Sequence, residues 1–298
     1  MNGIINVFKP KGMTSHDVIK EIRRIFNIKK AGHTGTLDPN AAGVLPVCIG
    51  KATRVSEYML DLPKEYVGEL TLGYATDTQD AEGKIIKFSN KEVKEDEIYQ
   101  AFNRFKGEIE QIPPMYSALK YKGQKLYELA RKGKTVERKA RQATIYELDI
   151  KKILDKKIIF YVKCSRGTYI RTLCDDIGKV LGTYGYMSFL IRVGVGNFKI
   201  EDSISLDQLK ELDRNTLQTV ISSMDEGLIH LEKISLDKKY FNKLINGAKV
   251  SIDNSLISKY NINTPFRVYV DNNFIGIGRI IQSANNFNIK MDKVLTQR

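Results

Sequence analysis

Cysteine and histidine are scarce in this chain, and long apolar runs are missing. Its three cysteines (Cys48, Cys164 and Cys174) are an odd number, and no two of them form a C-x-x-C pair. That argues against a disulfide framework or a cysteine zinc site, and the three read as reduced core residues of a cytoplasmic protein. The three histidines, His16, His33 and His230, are too scattered for a metal motif. No apolar run approaches the ~18 residues of a membrane span. The N-terminus, Met1 to Lys9, lacks the long apolar core of a signal peptide. Internal repeats and low-complexity tracts are absent as well. What is left is a chain of 298 residues, 42% hydrophobic and 28% charged, with enough core for two domains.

The net charge of +13 is unevenly placed. Between Ser117 and Gln142 nine Lys or Arg stand against two acids, and between Ser235 and Arg298 ten stand against four. These two segments hold the whole excess, and the rest of the chain is neutral. A charge run alone is usually a solvated face. Two basic regions beside a neutral body point to two docking surfaces for a polyanion, with nucleic acid as the expected partner. Such binding weakens with salt as counterions are released.

One carboxylate, Asp38, lies in the glycine- and hydroxyl-rich stretch GHTGTLDPNAAGVLP from Gly32 to Pro46. Glycine permits close backbone approach and proline fixes φ, so the loop has a defined shape, and the apolar run Val44 to Ile49 anchors it. Taken alone, Asp38-Pro39 is ordinary turn chemistry. A phosphate-binding P-loop at Gly50-Lys51-Ala52-Thr53 is excluded, because Leu45 and Ala52 occupy the positions that require Gly and Ser or Thr.

Elsewhere the pattern alternates between helix and strand signals. Thr14 to Asp17 reads as a capping box ahead of Val18, Ile19, Ile22, Ile25 and Phe26. Thr53 to Leu60 reads as a short helix. Tyr66 to Tyr74 reads as a strand with Tyr66, Gly68, Leu70, Leu72 and Tyr74 on one face. Ile98, Ala101, Phe102 and Phe105 mark a helix, Ile145 to Leu154 and Lys157 to Ser165 a strand pair, and Thr168 to Leu181 a second helix. The basic segment 117–142 is a long polar insertion, expected to be a mobile flap that orders on its ligand. A boundary is expected near residues 228–235. It is followed by a helix from Leu236 to Asn246 and a hairpin built on Phe266 to Val270 and Phe274 to Ile281.

GHTGTLDPNAAGVLPVCIGKATR resembles the catalytic motif of the TruB family of pseudouridine synthases, and Asp38 falls at the family's catalytic aspartate. KEYVGELTLGYATDTQDAEG and CSRGTYIRTLCDDIG match two further family motifs, and Lys9-Pro10-Lys11-Gly12 matches one of structural character. LINGAKV and FIGIGRI resemble a PUA domain, a small RNA-binding β-barrel. The resemblance covers nearly the whole chain in the expected order. It implies an α+β fold: a mixed, mainly antiparallel sheet flanked by helices and loops over residues 1–230, then a PUA-like barrel over 231–298.

The resemblance also implies the site. Asp38 would attack a flipped uridine, at C6 of the uracil or at C1′ of the ribose, and these routes stay open. Arg171 would be its ionic partner, against the alternative of an ordinary helix pair with Asp175 worth ~0.2–0.5 kcal/mol. Tyr66 would stack on the base and assist proton removal, although a strand tyrosine is most often a core residue. His33 would insert where the nucleotide leaves the stack, and Tyr169 and Leu190 would contact the base. Here the familiar Leu-Arg-Arg of the family reads Leu190-Ile191-Arg192. Lys120, Lys122, Lys125, Arg131 and Lys132 of the flap would grip phosphates. The isomerisation is redox-neutral, so no metal or organic cofactor is expected.

The expected activity is conversion of uridine 55 in the T-loop of tRNA to pseudouridine by a monomeric, stand-alone enzyme with no guide RNA and no membrane partner. One alternative is the catalytic subunit of a guide-RNA-dependent complex, whose members usually carry an N-terminal extension before the first motif. The other is a non-catalytic tRNA-binding or tRNA-folding protein, against which the presence of Asp38, Tyr66 and Arg171 argues.

Overall fold

Apolar runs such as Gly3–Lys9 and Ala42–Ile49 are too continuous for a half-exposed strand, and both are buried on two faces. They lie in a ten-stranded mixed sheet of the computed structural model, which describes residues 1–252, 260–283 and 286–296. From one edge the order is Ile204–Ser205, Gly3–Lys9, Ala42–Ile49, Gly185–Val195, Lys64–Leu72, Lys157–Cys164, Arg141–Leu154 and Gly107–Gln111. Ala31–His33 pairs onto Ala42–Ile49, and Phe198–Lys199 onto Gly185–Val195. Two pairings in this sheet are parallel, Gly3–Lys9 with Ile204–Ser205 and Ala42–Ile49 with Gly185–Val195, and the others are antiparallel.

The helix Ser15–Ile25 begins at the capping box of Thr14 and Asp17 and lays Val18, Ile19 and Ile22 against Ile5 and Val7. On the opposite face, Ile4, Val44 and Cys48 pack with Met59 and Leu228. At the other end of the sheet the helices Glu95–Asn103 and Ile170–Leu181 cover Tyr66, Leu70 and Phe160 through Phe102, Leu173 and Ile177. The Phe102 and Phe160 rings meet edge to face at 5.7 Å. All three cysteines are buried and free. Among the described residues no helix is long and apolar enough to cross a membrane.

Residues beyond the main sheet form a second, five-stranded sheet in the order Lys233–Leu236, Phe266–Val270, Asn273–Ser283, Asn286–Val294 and Val250–Ser251. It has its own core of Ile234, Val268, Ile280 and Ile289. It also docks on the first sheet: Ile277 and Leu295 join Ile4, Val44 and Cys48, and Arg54 Nη1 donates to Val294 O at 2.7 Å. The basic tally of this region includes Lys259 and Arg298, which lie outside the described residues.

Several local readings are adjusted. Leu236 ends a strand, and the helix is only Phe241–Ile245, preceded by a 3-10 turn at Lys238–Tyr240. Thr53 to Leu60 divides into a 3-10 turn, Gly50–Arg54, and a single helical turn, Ser56–Met59. The strand from Lys64 stops at Leu72, because Gly73 turns the chain at φ 99°, and Tyr74 is exposed. The basic insertion carries structure of its own. Lys120–Tyr121 pairs with Gln124–Lys125, and the helix Leu126–Arg131 buries Leu126 and Leu129.

Candidate active site

The Asp38 loop connects the strands Ala31–His33 and Ala42–Ile49, and buried polar groups fix its path. Ser15 Oγ accepts from Leu37 N at 2.9 Å and donates to Leu37 O at 3.1 Å. Pro39 O accepts from Gly12 N at 2.8 Å and from Lys9 Nζ at 3.1 Å. Leu37 and Ala41, on either side of Asp38, are buried in the same apolar cluster as Tyr66 and Ile170. With Leu37 and Ala41 buried and the backbone tied, the Asp38 side chain turns outward, 48% exposed.

Arg171 meets it there. The guanidinium is 7% exposed, and its Nη2 lies 3.0 Å from Asp38 Oδ2. Nη2 also donates to Tyr116 O at 3.0 Å, while Nη1 lies 3.4 Å from both Asp80 Oδ2 and Thr78 O. A planar fork with several donors suits such divided work. The pairing of Arg171 with Asp175 one turn further on is not the one adopted. Asp175 Oδ2 lies 2.6 Å from Lys179 Nζ and accepts from Gln79 Nε2 at 2.8 Å.

Tyr66 is 9% exposed, and burial pushes its phenol up to about 12, with Arg192 opposing the shift. The hydroxyl therefore stays protonated across the physiological range. Tyr169 stands at the N-terminal cap of Ile170–Leu181, its backbone held on both sides by Gln111 (Tyr169 N to Oε1 2.9 Å, Nε2 to Tyr169 O 3.1 Å). Burial raises its phenol as well. Leu190, the cross-strand partner of Gly68, is buried in the Tyr66 cluster. His33 is half-buried at the loop's entry and accepts from Gly35 N through Nδ1 at 3.3 Å. Burial, then the Arg192 charge, lower its pKa. In the insertion, Lys120, Lys122, Arg131 and Lys132 are exposed and Lys125 is half-buried; Lys125 and Arg131 lie by the Tyr127 ring at 5.4 and 5.5 Å.

Sequence reasoning left out two groups that the structure adds. Asp80, inside the KEYVGELTLGYATDTQDAEG stretch, is the second carboxylate on Arg171. The other group is a set of three cations beneath the loop, Lys9, Lys64 and Arg192, none more than 6% exposed. Burial holds Lys9 and Lys64 down to about 8, with the Arg192 charge adding to the shift. Backbone carbonyls solvate all three: Met13 and Pro39 for Lys9, Leu60 and Leu62 for Lys64, and Gly35 and Val44 for Arg192. No group of His, Cys, Asp or Glu that could hold a metal occurs among the described residues.

The arrangement is a solvent-facing carboxylate on a rigid turn, paired with a buried guanidinium and flanked by aromatic rings. The chain as a whole is similar to known proteins. The family model described as "TruB family pseudouridylate synthase (N terminal domain)" matches residues 23–170, and "tRNA pseudouridylate synthase B C-terminal domain" matches residues 171–229. The tRNA pseudouridine synthase B of Alkaliphilus oremlandii is 47% identical over 96% of this chain and 95% of its own length. That of Clostridium kluyveri is 45% identical over 99% of both. Among solved structures, a Cbf5-Nop10-Gar1 complex aligns with TM-score 0.78 and 28% identity over 99% of this chain and 85% of that chain. An H/ACA RNP bound to a substrate RNA containing 2′-deoxyuridine aligns with TM-score 0.76 and 26% identity over 99% and 86%.

Proposed function

The chain belongs to the TruB family of pseudouridylate synthases and is an isomerase acting on tRNA, and we propose that it converts uridine 55 of the T-loop with Asp38 as nucleophile. The observation that carries the nucleophile assignment is the 3.0 Å pair between half-exposed Asp38 and buried Arg171. The buried guanidinium faces the carboxylate as its counter-charge, and the pair fixes the direction in which Asp38 can attack.

In the reaction the N1–C1′ bond breaks and a C5–C1′ bond forms, with one proton lost at C5 and one gained at N1. Asp38 supplies the electron pair that activates the nucleoside, at C6 or at C1′. Tyr66 stacks on the extruded base. Its phenol stays protonated and serves as a hydrogen-bonding group, and it assists loss of the C5 proton only as a relay, releasing its own hydroxyl proton as it accepts that one. His33 and Tyr169 hold the flipped state, whose extrusion costs a few kcal/mol; each base–aromatic contact returns roughly 1–3 kcal/mol. Leu190 closes the apolar side.

The exposed Lys120, Lys122, Arg131 and Lys132, with half-buried Lys125, grip phosphates. So does the C-terminal sheet, a PUA-like module, through exposed Lys238, Lys239, Lys243 and Lys249. The division into a catalytic part, 1–230, and this module, 231–298, is supported by their separate sheets and by the cluster that the second sheet builds for itself. The enzyme acts in the cytoplasm, as a monomer, without a cofactor.

Guide-dependent action is the second reading, favoured by the likeness to H/ACA assemblies. Purified protein incubated with unmodified tRNA and no guide RNA separates the two, because pseudouridine at position 55 is expected and its absence under binding conditions defeats the stand-alone reading. Asp38→Asn is expected to abolish conversion and keep tRNA affinity. Conversion by that variant would remove the nucleophile assignment.

A further inference from the structure

Arg192 is 1% exposed, yet the described residues give it no carboxylate partner. A buried cation without a counter-charge is costly unless its donors are all used. Here two of them are used on the Asp38 loop. Arg192 Nε donates to Val44 O at 2.7 Å and Nη2 to Gly35 O at 3.2 Å, so one guanidinium ties the loop's two stems together. The backbone repeats the connection. In the sheet Arg192 is the register partner of Gly43 on one side and of Tyr66 on the other. Gly43 has φ 115°, and a Cβ there would stand 2.1 Å from Arg192 O, so strand and loop stem are in direct backbone contact. Register partners point to the same face, which places the Arg192 side chain alongside Tyr66.

We infer that Arg192 is the positioning residue that holds the Asp38 loop and Tyr66 in one fixed relation, clasping Gly35 O and Val44 O with its planar fork. This rests on Asp38 being the nucleophile. The fork matters more than the charge, because a lysine ammonium on a flexible stem does not present two donors in a rigid plane. Catalytic groups displaced by about 1 Å lose on the order of 100-fold in rate. Affinity for tRNA that comes from surfaces elsewhere is unaffected by such a displacement.

The test compares wild type, Arg192→Met, Arg192→Lys and Asp38→Asn in three measurements: thermal midpoint, tRNA affinity and single-turnover conversion per folded molecule. Arg192→Met is expected to bind tRNA within about 2-fold of wild type and to convert it about 100-fold more slowly, with Arg192→Lys recovering only about 10-fold of that loss. Wild-type conversion by Arg192→Met overturns the proposal. Full recovery by Arg192→Lys overturns it too, by showing that charge suffices. If neither Arg192 variant folds, Arg192 is a stability residue and the proposal fails. Conversion by Asp38→Asn would instead remove the nucleophile reading, whatever the Arg192 variants do.

Discussion

At the scale of single residues, His33 shows how a side chain becomes committed to one protonation state. Its Nδ1 accepts from Gly35 N, a bond that a protonated ring cannot make. Burial and Arg192 hold its folded pKa below the ordinary 6.5. The unfolded chain therefore binds the proton more readily, and the stabilisation is complete above about pH 6.5 and lost as pH falls through the folded value. Thermal unfolding from about pH 7 to about pH 5 should show this loss, and His33→Gln should flatten it. An unchanged slope in His33→Gln would assign the acid sensitivity to other groups. The same scale explains what the sequence concealed. Asp38 and Arg171 stand in motifs that resemble a family's, although their residue types alone would read as a turn and a helix pair. The burial of Lys9, Lys64 and Arg192 is not legible in that way, because long cationic side chains are almost always surface residues. Only the fold reveals the carbonyls that take up their charge.

Among the elements, the segment 117–142 departs most from its sequence signal. Its polar composition hides two apolar anchors, Leu126 and Leu129, that seat one turn and a half of helix. So few anchors make a locally weak element whose opening need not disturb the main core. Leu126→Asp should leave the global unfolding midpoint nearly unchanged, accelerate tryptic cleavage between Arg131 and Arg141, and weaken tRNA binding. A large drop in the midpoint would make the segment part of the cooperative core. The strand Gly185–Val195 illustrates the opposite difficulty. It is central, yet register shifts between Met187 and Phe189 and between Arg192 and Gly194 break the alternation by which a strand is recognised. Those bulges fall on either side of Leu190. The strand pair Arg141–Leu154 and Lys157–Cys164 was legible because its turn residues, Asp155 and Lys156, interrupt two clear runs.

Across the whole molecule, charge and chemistry are segregated: a neutral body carries Asp38, and two basic regions account for the net +13. That division was legible from composition, whereas the docking of the second sheet on the first was not, since it depends on distant residues such as Ile277 and Val44. Replacing Lys120, Lys122, Lys125, Arg131 and Lys132 by alanine should weaken tRNA binding. The slope of log affinity against log salt should fall by about one for each phosphate that is no longer neutralised. The single-turnover rate at saturating tRNA should hardly change. An unchanged salt slope in that variant would mean that these five side chains neutralise no phosphate.

The strand Ala42–Ile49 has the Asp38 loop at its start, and its Val44 and Cys48 pack against Ile277 and Leu295 of the C-terminal sheet. Lys51 and Arg54, just after it, donate to the backbone of Thr296 and Val294. With both ends fastened to one strand, the span between the proposed RNA grip and the nucleophile is set by the protein. On the proposed reading, the distance of a uridine from the gripped part of the RNA is expected to count in whether it is converted.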